Sequence, residues 1–436
     1  MRSANETLPA HGRRLAAMLA LLVVLAVAPV AAQDTTPPAE DAVATDARSA
    51  DEPAADERAA GEPAVDEPAA DVATVDVAAA AVAVEVIDPA LLPSEMARLA
   101  TKSLLLGITE SDQRAVAVGE RGHIVVSESR DDWRQVENVP TRTTLTAATA
   151  LGSDVWAVGH AQVILHSADG GLSWERQHVD PYDPEEFEDI ANGAPLLDVL
   201  FLDAHNGLAI GAYGLLLHTS DGGASWSRGS VSTTAAADAE DRGDGDGDGG
   251  ADGDTGQPAD DAAAAGEDDS WTFSDEDLEL EELSDPHLNA IARTGNGGLL
   301  IVAERGSAFR SRDQGRTWER LLIPYDGSMF GVLGFDGDRV LVFGLRGNVF
   351  ESADLGSTWT AVDSGTEQSL QGGTVLADGG AALVGSNGVV LVRRSGEEPF
   401  VEHSIDGGGA LADAVATGGS GLVVVGERGV SRFRPN

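Results

Sequence analysis

The stretch Leu341-Val342-Phe343-Gly344-Leu345-Arg346-Gly347, followed closely by Ser352-Ala353-Asp354-Leu355-Gly356-Ser357-Thr358-Trp359, decides how this chain folds. Its first part is a short apolar strand ending in glycine, two residues, a second glycine and the start of another apolar strand. Its second part sets Ser, Asp, Gly and a Thr-Trp pair around a tight turn. There the Asp carboxylate can accept N–H groups, Gly takes positive φ and Trp packs between layers. The first part recurs as Ala115–Gly122, Val155–Gly159, Leu208–Gly214, Leu300–Gly306, Ala382–Gly388 and Val423–Gly429. The steps between first-glycine positions, counting Ala303 as one, are 40, 52, 92, 41, 41 and 41. An excess around Asp180–Pro195 accounts for the 52, and an acidic insertion accounts for the 92. A period of about 41 residues is that of a four-stranded propeller blade. Seven copies predict an all-β chain, a seven-bladed β-propeller of four-stranded blades.

The second part is present four times, as Ser167–Trp174, Thr219–Trp226, Ser311–Trp318 and Ser352–Trp359. Each reads Ser/Thr-x-Asp-x-Gly-x-Ser/Thr-Trp, which makes Asp169, Trp174, Asp221, Trp226, Asp313, Trp318, Asp354 and Trp359 structural residues. The copies at Ser127–Trp133 and Arg393–Phe400 are degenerate. Blade 7 runs out at Phe433-Arg434-Pro435-Asn436 after its third strand. Because an open sheet edge invites aggregation, the apolar run Val82–Ile87 is expected to supply the closing N-terminal strand.

Charge is concentrated outside the repeats. The chain holds 28 Lys+Arg against 73 Asp+Glu, a formal charge of -45, and no cysteine. Residues 33–88 carry 15 acidic and 2 basic side chains, and residues 229–286 carry 20 and 1. The repeats are therefore only mildly acidic. Such acidity opposes binding of nucleic acid or anionic lipid. The lack of cysteine excludes disulfides, thiol catalysis, Cys-zinc sites and lipidation at an N-terminal cysteine.

Arg13-Arg14, the apolar run Leu15–Val30 and the small residues Ala31-Ala32 read as a secretory signal over residues 1–32. The run is shorter than the roughly 20 residues that cross a bilayer. Residues 33–80, built from Ala, Asp, Glu, Pro and Val, read as a disordered acidic tether. Residues 81–436 form the propeller, with residues 229–286 a disordered acidic insert between blades 3 and 4. The expected location is periplasmic or extracellular, as a soluble monomer.

On these Asp-boxes and Gly-x-x-Gly turns, residues Val82 to Asn436 resemble the BNR-repeat photosystem II stability/assembly factor family, the YCF-type propellers, as a bacterial relative. The low-complexity insert departs from the compact family pattern. The resemblance implies a non-enzymatic exported propeller that binds protein partners during assembly of a membrane protein complex, a photosystem or a transporter. Family members serve photosynthesis, related propellers also occur in non-photosynthetic bacteria, and nothing in these residues chooses between the two.

Asp-boxes also occur in sialidases, so a glycan-binding or sialidase-like propeller is the alternative, and a structural adhesin module a third. Sialidase chemistry asks for three arginines on a carboxylate, a Tyr nucleophile with a Glu partner and an acid/base Asp. The tyrosines are three, Tyr182, Tyr213 and Tyr325, and no such set is apparent. Function rests on the site rather than the fold, so no catalysis is expected. Asp244-x-Asp246-x-Asp248-Gly249 begins like a calcium loop, but Thr255 stands where a bidentate Glu is needed. The histidines have no ligand spacing, so neither metal nor cofactor nor small-molecule substrate is expected.

Arg121, Arg305, Arg346 and Arg428 occupy one equivalent place, between the two glycines of the second-to-third-strand turn. Turns equivalent around a ring project from one face. Glu120, Glu304 and Glu427 precede three of them and are candidates to neutralise them. The bland reading is a set of solvated Glu-Arg turns of little energetic worth. The functional one is a basic docking face for a protein partner. The acidic insert, leaving on the same side, is expected to compete for that face.

Overall fold

A computed structural model describes residues 87–231 and 285–435, apart from Phe187, Glu397, Asp406, Gly408 and residues 418–420. The leader, the tether, residues 82–86 and residues 232–284 of the insert lie outside the described residues.

Seven antiparallel sheets follow one another along the chain. Blade 1 spans Leu105–Gln135, blade 2 Leu145–His178, blade 3 Leu196–Arg228 and blade 4 Leu288–Leu322. Blades 5, 6 and 7 span Met329–Val362, Leu370–Ser404 and Leu411–Phe433. Among the described residues the strands of every sheet pair in chain order, first to last, in six four-stranded blades and a three-stranded seventh. First strands of neighbouring blades pack on one another around the ring, so the chain is a seven-bladed β-propeller.

Burial explains the sequence pattern. Second strands, such as Ala115–Gly119 and Val340–Gly344, are buried at every position. Sheets cover both their faces, so they read as unbroken apolar runs rather than alternating ones. Fourth strands, such as Ser227–Arg228, are short and exposed. Each apolar cluster lies between two blades. Trp156 of blade 2, for example, stacks on Phe201 of blade 3 at 3.5 Å and 11° between planes, with Val158, Ile164, Leu196 and Ala209 in the same cluster.

The Asp-box turns are closed hydrogen-bond cages. In blade 5 the Ser352 hydroxyl donates to Asp354 Oδ1 at 2.8 Å and accepts the Gly356 N–H at 2.8 Å. The Thr358 N–H and hydroxyl donate to the two Asp354 oxygens, both at 2.8 Å. Blade 6 departs from this for a visible reason. Arg393 stands in the serine's place, donates to Glu351 of blade 5 at 3.0 Å and lies 5.0 Å from the Phe400 ring centroid.

Ring closure rests on packing of blade 7 against blade 1. Val423 and Val425 meet Leu105, Ile108, Ala117 and Val125 there. The closing strand expected at Val82–Ile87 lies outside the described residues except for Ile87, which is exposed. The chain that follows is a strap containing Pro89 and Pro93 rather than a strand. The Pro89 carbonyl accepts the Arg142 N–H at 2.9 Å, and the Ala90 carbonyl accepts Arg176 of blade 2 at 2.7 Å. At its other end the turn Ala100–Lys102 lies against blade 7, where a Cβ on Gly429 would stand 2.1 Å from the Thr101 oxygen.

Candidate functional site

The arginine turns are built by two constraints. Arg121, Arg305 and Arg346 have φ of 55°, 54° and 56°, and the glycines after them are also left-handed. This is the two-residue turn in which both central residues take positive φ. Just outside each turn crosses the link to the next blade. A Cβ on Gly122, Gly306 or Gly347 would meet the carbonyl oxygens of Thr141, Tyr325 or Thr366 at 2.1–2.2 Å. The second-to-third-strand turns and the inter-blade links therefore share one face of the ring.

On that face Arg121, Arg305, Arg346 and Arg428 are exposed. Arg428 and Arg121 belong to neighbouring blades 7 and 1, Arg305 and Arg346 to neighbouring blades 4 and 5. Blades 2, 3 and 6 present Ala161, Tyr213 and Asn387 at the equivalent left-handed position. Among the described residues, Arg121, Arg346 and Arg428 form no ion pair with a carboxylate. Two of the preceding glutamates point elsewhere. Glu304 accepts the His287 N–H at 3.2 Å and lies 3.6 Å from its ring, and Glu427 accepts the Ala410 N–H at 3.1 Å. Both brace the incoming link.

Beneath the turns sit three histidines. Burial lowers the pKa of His123, His160 and His287 and so disfavours their charged form. The positive charge of the turns is that of the arginines. The cavity beside Arg428, lined by Gly388, Ile405, Gly409 and Ala410, measures about 20 Å³, room for a single water. This cavity is too small to enclose a ligand larger than water.

The insert leaves from the same face. The Gly229 N–H bonds to the Leu216 carbonyl at 2.8 Å, and the Gly214 N–H to the Pro286 carbonyl at 3.0 Å. Its two ends are thus held two residues apart on one hairpin. The Asp180–Pro195 link is acidic, carries exposed Tyr182, and is tied down by Asp189 to Arg228 at 2.6 Å.

The tyrosines stand apart. Tyr213 packs edge-on to His287 at 4.8 Å, and burial and the Glu304 charge raise its pKa. Tyr325 donates to the Leu345 carbonyl at 3.4 Å. No cluster of three or more His, Asp or Glu poised to hold a metal occurs among the described residues. The predicted calcium loop falls outside them.

The Asp-boxes lie at third-to-fourth-strand turns, on the face opposite the arginines. Trp174, Trp226, Trp318 and Trp359 pack against successive inter-blade clusters. Sequence reasoning missed the arginines that clamp these turns from the preceding blade. Arg114 donates to the Asp169 and Gly170 carbonyls at 2.6 and 3.0 Å, and Arg310 to the Ser357 hydroxyl at 2.5 Å. They sit at unrelated positions in their repeats, so no spacing marks them.

No protein-family model matches the chain, and no curated protein matches it. Among solved structures, YCF48 bound to a D1 peptide is similar with a TM-score of 0.53 and 15% identity, over 80% of this chain and 99% of that one. YCF48 from Cyanidioschyzon merolae gives 0.52 and 15%, over 79% and 99%. The Cps50 (Swd1) propeller domain from Myceliophteria thermophila gives 0.53 and 10%, over 80% and 99%. At these identities the likeness is one of architecture, and in architecture the chain is similar to the YCF48-type β-propellers.

Proposed function

We propose that this chain is an exported, non-enzymatic propeller that docks a segment of a protein partner on its arginine face and serves as an assembly factor for a membrane protein complex. The observation that carries the reading is the display of Arg121, Arg346 and Arg428 on one face without ion pairs among the described residues. In a chain of charge -45, arginines left available on one face favour a carboxylate or carbonyl-rich partner. The solved YCF48 complex with a D1 peptide supports a peptide segment as that partner. Export rests on the leader and its basic and apolar segments.

Affinity capture from gently solubilised membranes tests the reading. The wild type retains a membrane complex and an Arg121/Arg346/Arg428→Ala variant loses it. Capture that is equal with both proteins would remove the arginine face from the account.

A further inference from the structure

We propose that the ring is two half-rings, blades 1–3 and blades 4–7, that meet at two seams, each latched by an aspartate on the innermost strand: Asp198 and Asp413.

Every first strand carries a β-bulge at its second residue, as between Leu105 and Gly107 or Leu411 and Asp413. The residue just after the bulge faces the neighbouring blade at close range. A Cβ on Gly107 would lie 2.9 Å from Ala147 Cα, and one on Gly372 2.2 Å from the Ala412 oxygen. Five blades place only Gly or Ala there, as Gly107, Ala147, Ala290, Gly331 and Gly372. Blades 3 and 7 place Asp198 and Asp413 instead.

Both carboxylates bond across their junction, and Asp413 is also bonded by the Gly373 N–H of blade 6. Asp198 accepts the Ile291 N–H of blade 4 at 2.9 Å and the Val199 N–H at 2.8 Å. Asp413 accepts the Ile108 N–H of blade 1 at 3.1 Å and the Ala414 N–H at 2.8 Å. Where other side chains bridge first strands they are neutral, Thr146 to the Leu196 carbonyl and Asn289 to the Met329 carbonyl.

These two junctions are also the ones that the chain does not join directly. Blade 6 passes to blade 7 between Ser404 and Leu411, and blade 4 to blade 5 between Leu322 and Met329. Between blades 3 and 4 it leaves at Arg228 and returns at Leu288. Blade 7 is not continuous in sequence with blade 1; only the segment entering blade 1, at Thr101, crosses the blade 7 turn at Gly429. A latch is needed most where loop closure contributes least.

The latches respond to pH. Around Asp198 the neighbouring strands present Ala147, Ala148 and Ile210; around Asp413 they present Gly107, Ile108, Gly372, Gly373 and Val425. Glu110 at the far end of its strand pairs with Arg130, and Arg293 at the far end of its own bonds the Leu202 carbonyl. The charge acting on Asp413 is that of Asp198. Burial pushes Asp198 up to about 6, against the bonds from Ile291 and Val199. Burial pushes Asp413 up to about 7, against its own N–H bonds, with the Asp198 charge adding to the rise. A raised carboxyl binds its proton more tightly in the closed ring, so its contribution is complete below the ordinary Asp range. It is lost as pH rises through about 6 and 7.

The test uses the folded full chain with a protease site placed within residues 232–284. After the cut, the two pieces co-elute at pH 5, and the half-ring dissociation constant rises at least about tenfold by pH 8. In an Asp198→Asn/Asp413→Asn variant that pH slope disappears. A dissociation constant equal at pH 5 and 8 in the cut wild type overturns the proposal, as does a wild-type slope in the variant. Should the variant not fold, hydrogen exchange on the uncut wild type decides. Opening at the Ile108 and Ile291 amides rises at least about tenfold more from pH 5 to 8 than at Val332, the equivalent amide of blade 5. Equal changes at all three overturn the latch.

Discussion

The Cβ that Gly122 lacks would stand 2.1 Å from the carbonyl oxygen of Thr141. That contact ties the turn bearing Arg121 to the chain passing into blade 2, so the arginine's backbone is set by packing and its side chain remains for binding. The Ser94 hydroxyl adds to this by donating to the Arg121 carbonyl at 3.0 Å.

Gly347 has the same relationship, 2.1 Å to the Thr366 oxygen at φ +71°. Gly347→Ala combines a left-handed strain with a backbone clash that no rotamer relieves. It should cost about 2–4 kcal/mol, read as a shift in the urea midpoint. Gly337→Ala, at φ +69° with open space around it, should cost only about 1 kcal/mol.

Acid should unfold the protein by way of the Asp-boxes. Bonds from the Ser225 and Thr317 side chains hold Asp221 and Asp313 down to about 2, and bonds led by the Thr358 N–H do the same for Asp354. Burial opposes the shift at Asp169, where bonds from Ser173 and Ser167 outweigh it, again to about 2. A depressed carboxyl stabilises above its unfolded pKa and ceases to as pH falls through the folded one. Melting temperature should therefore drop between about pH 4 and pH 2. An Asp313→Ala/Asp354→Ala protein should show a smaller drop over that range.

Excising residues 232–284 and joining Val231 to Asp285 through a short Gly-Ser linker should leave the melting temperature within a few degrees. The flanking residues are held by Leu216 and Gly214 on one hairpin, and Val231 is buried in the blade 3–4 cluster. Loop length changes closure entropy only slowly. Loss of folding on excision would mean that the insert contributes to the blade 3–4 seam.

Trp156→Ala should cost about 3–5 kcal/mol, because its ring is 2% exposed and stacked on Phe201. Thermal or urea unfolding checks it. A cost below about 1 kcal/mol would mean that the blade 2–3 interface repacks.

Much of the fold was legible because a blade repeats its turn chemistry every 41 residues. The glycines and Asp-boxes mark strand ends, and in blade 3 the apolar run opening the Leu208–Gly214 motif occurs as the strand Gly207–Gly211. The strap from Ile87 to Ser103 was not legible, since it has no period and is held by scattered bonds to Arg142, Arg176 and Gln135. Of the arginine face, the shared position was legible. The engagement of Glu304 and Glu427 with the links was not, because it depends on which backbone N–H each carboxylate meets. Asp198 and Asp413 left a trace in the paired Leu-x-Asp of Leu196–Asp198 and Leu411–Asp413, visible once first strands are aligned by their bulges.

The docking claim is tested most directly by photo-crosslinking to solubilised membranes from two positions, one at Asn387 on the arginine face and one at Arg316 in an Asp-box turn on the opposite face. The account predicts a partner crosslink from position 387 that fades as salt is raised, because exposed charges are screened over about 8 Å at 0.15 M ionic strength. It predicts none from position 316. Crosslinks from position 316 alone, or equally from both, would contradict docking on the arginine face.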